Sequence, residues 1–225
     1  MTRQLVSVIG YVALVGAFLF IPAGTLHWRA AWILLAVLFV VRALSAARLW
    51  QVQRELAIER TMLPLQPGRS AVDLPLVLLF MAAFAALIGF ASADRWHLHL
   101  LPMIAPAVRV FGLLLFALGW VIVYLALSAN AYAVLVVRVQ EERGHRVADG
   151  GVYRRVRHPM YAGIVAGMVG MCLWLGSSAA LVATLVPLGI LVVRIVFEER
   201  TLREKLAGYR DYTSRVRWRL LPGVW

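Results

Sequence analysis

Apolar residues run along the chain in six blocks, roughly Leu5–Ala23, Ala30–Leu49, Val72–Ala93, Ala105–Leu127, Pro159–Leu175 and Ala179–Phe197. A helix needs about 20 apolar residues to cross a ~30 Å hydrocarbon core, and each block comes close to that length. The pattern predicts an all-α, polytopic integral membrane protein with about six transmembrane helices. Two kinds of polar segment separate the blocks. Arg42 to Arg69 holds five arginines, Arg138 to Arg157 holds six, and the tail after Glu198 is again basic. The alternate connections are nearly bare: Pro22–Arg29, Asp94–Pro102 with one arginine, and Gly176-Ser177-Ser178 with none. Positive loops stay in the cytoplasm, so the alternation requires an even number of spans with both termini cytoplasmic. A bacterial inner membrane is the expected location.

The first block ends in Phe20-Ile21-Pro22 without a small-x-small cleavage site, so it reads as a retained helix. The fifth and sixth blocks are joined only by "LGSS", which predicts a tight antiparallel hairpin. Gly163, Gly167 and Gly170 lie along its first helix, and small residues at such spacing let helices approach closely in lipid. The chain divides into an N-terminal four-helix membrane region, 1–128, and a chemistry-bearing part, 129–225.

Composition agrees with the pattern. Of 225 residues, 62% are hydrophobic and 15% charged, where a soluble domain would carry about 25% charged residues. The formal charge is +12, and every basic residue except Lys205 is an arginine. In a soluble chain that balance would suggest nucleic acid, but here the arginines sit in loops on one side of a membrane, beside anionic headgroups. Membrane lipids, not nucleic acid, are the expected partners. The lone Cys172 lies inside a block, which excludes an intrachain disulfide and any Cys-rich metal site.

Polar groups in or beside a bilayer are costly unless they are paired or face water, so their placement is informative. Three groups stand out in the last third: the loop "RVQEERGHRVADGGVYRRVRHP", then Arg194 with Glu198 and Glu199, then the tail "GYRDYTSRVRWRLLP". Pro159 suits a first helical position, where its missing N–H costs nothing, and the free N–H groups of that turn suit an anion such as a carboxylate. His158 and Tyr161 are three apart and flank one side of that entrance. Arg194 and Glu198 are four apart and share a helix face. A short hairpin puts both clusters at one membrane side. Each residue taken singly has a structural explanation: lipid contact for Arg157, a helix cap for His158, interfacial anchoring for the tyrosines, an internal ion pair for Arg194 and Glu198. Their convergence at one mouth is what those explanations leave unaccounted for.

The order "GGVYRRVRHPMYAG", helical hairpin, "EERTL", "GYRDYTSRVRWRLLP" resembles the isoprenylcysteine carboxyl methyltransferase family and its phospholipid methyltransferase relatives, from about Asn130 to the C-terminus. The resemblance implies an integral membrane enzyme that uses S-adenosyl-L-methionine, with a cytosolic loop and tail that enclose the cofactor. Gln140 and the strip His145, Arg146, Val147 and Ala148 look like the first cofactor-contacting segment, and Tyr153 like the aromatic residue beside the adenosyl group. His158, Pro159, Met160 and Tyr161 match the His-Pro-x-Tyr cofactor wall. Glu198 matches the carboxylate that contacts the cofactor, and Arg194 falls where family members have an arginine facing the acceptor. The spacing from Gln140 to His145 is shorter than in the eukaryotic enzymes.

The chemistry of the residues is compatible with this resemblance. Methyl transfer from a sulfonium is an in-line displacement that calls for no metal, and positioning and exclusion of water supply most of the acceleration. Acidic and aromatic groups attract a sulfonium, and an arginine can hold an acceptor carboxylate or phosphate through two parallel hydrogen bonds. The acceptor is expected to be a lipophilic small molecule or a lipid-modified group. Two other readings fit parts of the pattern. Membrane sterol reductases, which use NADPH, have a similar basic and aromatic tail, and a non-enzymatic protein could use the basic loops to bind lipid headgroups or a partner.

Overall fold

The computed structural model describes residues 2–52, 73–133 and 144–225, and among these the chain is helical with no strand. The long helices are α1 (Thr2–Ala23), α2 (Arg29–Val52), α3 (Asp73–Ala93), α4 (Pro106–Ala129) and α5 (Pro159–Leu175). They are followed by short α6 (Ser178–Ala183), long α7 (Leu185–Lys205) and short α8 (Tyr209–Arg215). Five helical segments are long and apolar enough to cross a membrane, α6 and α7 counting as one, and α5 is a shorter sixth apolar helix. This is a polytopic helical membrane protein.

Helix ends follow local chemistry. Pro106 and Pro159 occupy first-turn positions of α4 and α5, where their lack of an N–H removes no hydrogen bond. Gly176 closes α5 in the left-handed region (φ 86°), its N–H donating to the carbonyls of Cys172 and Leu173. The next residue opens α6: Ser177 Oγ accepts from the Ala180 N–H at 2.9 Å. Such a Gly–Ser pair turns the chain in two residues. The sixth block, expected as one span from Ala179, is instead broken at Thr184. Pro187 explains the break, since it offers no N–H to the Ala183 carbonyl four residues earlier and its ring crowds that carbonyl.

The expected tight hairpin needs a correction of partner. The turn is as short as predicted and returns α7 towards the start of α5, but the close packing of α5 is against α4, while α7 lies along α3. Glycines on α4 explain the choice. A Cβ placed on Gly119 would come within 2.5 Å of the Gly163 carbonyl oxygen, and one on Gly163 within 2.6 Å of the Gly119 oxygen. Two turns along, Gly112 and Gly170 touch in the same way. The two helices therefore meet backbone to backbone, which in lipid is a main source of helix association. Below this seam Leu19, Leu34, Leu38, Met168, Met171 and Leu175 fill the core.

At 17 residues α5 is about 25 Å long, shorter than a ~30 Å hydrocarbon core. Its Pro159 end is recessed relative to the end of α7: His158 contacts Glu199, and α7 runs on from there to Lys205. The step between them is roofed by the C-terminal tail, whose Trp218 and Arg219 carbonyls accept from the Arg157 and His158 N–H groups at 2.9 and 2.8 Å.

Candidate active site

Buried carboxylates organise the recessed mouth. Glu199 is nearly inaccessible and receives Arg157 Nε on Oε1 at 2.6 Å and Arg219 Nε on Oε2 at 3.1 Å. His158 Nε2 lies 3.2 Å from the same Oε1, and Arg203 Nη2 is 3.4 Å from Oε2. Arg157 also donates through Nη1 to the Val216 and Arg217 carbonyls at 2.7 and 2.8 Å. One guanidinium thus ties the loop before α5 to α7 and to the tail. Buried charges persist only when paired and fully hydrogen-bonded, and this cluster meets both conditions.

Glu198, next in sequence, turns to the other side of α7. Its Oε2 accepts from the Tyr161 hydroxyl at 2.6 Å. The His158 ring stacks on Tyr161 with centroids 5.5 Å apart, and the Arg194 guanidinium lies 5.4 Å from the Tyr161 centroid. Arg194 shares a helix face with Glu198, and an ion pair between them was one structural explanation for both. Asp73, at the start of α3, receives Arg194 Nε at 2.8 Å and Nη2 at 3.3 Å, both side chains being buried.

Beside these groups opens a cleft with about 760 Å³ of empty volume, part of it open solvent, narrow between its side chains. His145, Val147, Ala148, Tyr153, His158, Met160, Tyr161 and Glu198 line it, as do Asn130, Tyr132, Ala133, Arg157, Leu202, Leu206, Tyr209 and Tyr212. Tyr212 donates to the Tyr153 carbonyl at 2.8 Å, and Asn130 Nδ2 reaches the Tyr153 hydroxyl at 3.4 Å. Tyr132 stacks on His145 with centroids 4.3 Å apart. Burial pushes the Tyr209 hydroxyl well above the usual phenol range, and the neighbouring Glu199 carboxylate pushes it further. Tyr212 is raised by burial first and then by Tyr153. Both stay protonated donors at neutral pH.

Eight of the residues singled out in the sequence therefore line one cleft. Pro159 is buried at the start of α5 but does not line it, Arg146 is exposed on the loop, and Arg194 lies behind Tyr161. Gln140 falls outside the described residues. Sequence reasoning missed Asn130 and Tyr132 at the end of α4, and Asp73; Tyr209 and Tyr212 lie in the tail expected to enclose the cleft but were given no individual role. The two tail tyrosines are three apart and share a helix face, which brings both to the cleft.

A bundle of apolar helices whose loop, recessed helix entrance and tail close around one cleft defines a membrane-embedded protein with a candidate ligand cleft at its arginine-rich end. Residues 107–208, from α4 into the tail, match the family model described as phospholipid methyltransferase. Among curated proteins, the chain is 35% identical over 112 residues to a probable protein-S-isoprenylcysteine O-methyltransferase of Oryza sativa subsp. indica, and equally to that of subsp. japonica. It is 28% identical over 109 residues to protein-S-isoprenylcysteine O-methyltransferase B of Arabidopsis thaliana. These matches take in 48% of the chain for the rice proteins and 47% for the Arabidopsis one. They span 59% and 55% of the relatives' own lengths. Residues 107–208 are thus similar to the phospholipid methyltransferases, and about half of the chain is similar to curated isoprenylcysteine O-methyltransferases of which it spans less than two thirds.

Proposed function

We propose that the protein is a membrane methyltransferase that takes S-adenosyl-L-methionine from the cytosol and methylates a lipophilic acceptor bearing a carboxylate or headgroup. One observation carries the reading: the end of α4, the loop, the helix entrance, α7 and the tail, far apart in sequence, bring an acid, two imidazoles and five tyrosines to a single cleft. That donor set suits a cationic, aromatic ligand. Glu198 offers a carboxylate to a positive centre, and its Oε1 takes no protein donor among the described residues. Tyr153, Tyr209 and Tyr212 offer ring faces for cation–π attraction and stacking.

When bound, the cofactor supplies an electrophilic methyl group on sulfonium sulfur, and an acceptor lone pair displaces a neutral thioether. The chain's own contribution is to bind, orient and dry the site. Tyr161 holds Glu198 in one rotamer through its hydroxyl, and His158 stacks on its ring. Arg157 keeps the tail closed over the cleft, which excludes water and strengthens every charge interaction within. Arg194, fixed by Asp73, orients the acceptor's anionic group from the bilayer side of Tyr161, and the acceptor arrives laterally from the membrane.

In this reading residues 129–225 supply the cleft, residues 1–128 supply the membrane platform, and Asp73 and Gly119 join the two. The arginine-rich end, with both termini, faces the cytoplasm. The test is to incubate membranes containing the protein with methyl-labelled S-adenosyl-L-methionine and identify labelled products by mass spectrometry. A labelled lipophilic product absent from membranes lacking the protein is expected. Binding of NADPH with no binding of S-adenosyl-L-methionine would overturn the reading.

A further inference from the structure

On the far side of α7 from the cleft lies a second, more open groove of about 920 Å³ of empty volume, part of it open solvent. Val196, Arg200 and Arg203 stand on one face of α7 at successive turns, and Val196, half-exposed, belongs to the lipid-facing surface. Above them Arg210 from α8 and Arg219 from the tail complete the rim. The groove is thus apolar at its bilayer end and basic at its cytosolic end.

The basic end is richer in cations than its own acids can neutralise. Four arginines face two glutamates there. Glu204 is engaged by Arg200 at 3.1 Å, and Glu199 is already shared with buried Arg157. Arg219 is held in place by Nε on Glu199 and by stacking over Trp225 at 4.9 Å. Arg210 is held by Nε on the Arg203 carbonyl at 3.2 Å. In both, the Nη donors take no protein acceptor among the described residues. Two guanidiniums anchored through Nε, with their outer donors left over, form a fork for the oxygens of a phosphate.

We infer that this groove binds the phosphate headgroup of an anionic phospholipid from the cytosolic leaflet, with an acyl chain descending past Val196. The inference does not depend on the identity of the methyl acceptor or on methyl transfer itself. Glu199 forms the wall between groove and cleft, so a headgroup drawing on Arg203 and Arg219 competes for guanidiniums that now neutralise Glu199. Occupancy of the groove therefore bears on the Arg157 clamp.

The test uses the purified full chain in detergent and native mass spectrometry of lipid adducts. Phosphatidylglycerol is expected to bind at least tenfold more tightly than phosphatidylcholine with the same acyl chains. The R203Q/R210Q variant should lose at least fivefold in phosphatidylglycerol affinity and keep its phosphatidylcholine adducts. R29Q, at the opposite membrane face, should change neither. Equal binding of the two lipids by the unaltered protein would overturn the inference, as would a preference that survives in R203Q/R210Q. Removal of the phosphatidylglycerol adduct by millimolar inorganic phosphate, with phosphate retained in its place, would also overturn it, because the ligand would then be a soluble anion. The comparison of lipids in the unaltered protein decides the matter even if the double variant does not fold.

Discussion

Asp94 and Glu199 are both nearly inaccessible carboxylates at opposite membrane faces of one helix bundle, and they are satisfied in different ways. Asp94 takes neutral donors: the Ser177 hydroxyl at 2.5 Å and the Leu100 N–H at 2.9 Å. Around it the chain closes on itself, with Trp174 Nε1 on the Ala30 carbonyl at 2.7 Å and Arg109 Nε on the Trp174 carbonyl at 3.0 Å. Glu199 instead takes guanidiniums from three separate segments, and both cavities described above open beside it. A carboxylate that seals a turn needs only donors of the right reach. One that holds a separate tail segment against a helix end needs charge, and the excess of cations it collects leaves chemistry available at the surface.

The contrast can be broken by substitution, most severely at the Glu199 end. Arg157→Ala removes the ion pair and both tail carbonyl contacts while Glu199 stays buried. Loss of one partner from a buried pair typically costs about 3–5 kcal/mol. A large fall in thermal unfolding temperature in detergent, with protease cleavage appearing between Ser214 and Trp225, is expected. At the other face, Ser177→Ala leaves one Asp94 oxygen and the Ala180 N–H without their partner, a loss of about 1–3 kcal/mol. Because that end is sealed, stability should fall while affinity for S-adenosyl-L-methionine, measured on the folded fraction, stays unchanged. The smallest effect is expected for Tyr212→Phe, which removes one hydroxyl donor from the Tyr153 carbonyl, worth about 1 kcal/mol. Its signature is a slight loss of stability with a few-fold weaker cofactor binding, since Tyr153 is held less firmly at the cleft.

Much of this architecture is legible from residue pattern. The spans follow from apolar length alone. The recessed mouth was readable because "RHPMY" combines a helix-start proline with polar groups at a membrane threshold. What stayed hidden was pairing across distance. Asp73 and Arg194 are 121 residues apart, and a lone acid at the start of an apolar block names no partner. Glu198 and Glu199 look equivalent in sequence, yet the roughly 100° turn per residue of a helix sends one to Tyr161 and the other to Arg157. The preference of α5 for α4 over α7 depends on Gly112 and Gly119, in a span that otherwise carries little but hydrophobicity.

The central claim is that the cleft holds S-adenosyl-L-methionine through the Glu198 carboxylate, and calorimetric titration in detergent tests it most directly. The unaltered protein should bind the cofactor, and Glu198→Ala should bind it at least tenfold more weakly while its unfolding temperature stays close to the original. Equal affinity in the two proteins, or no binding by a folded unaltered protein, would contradict the account.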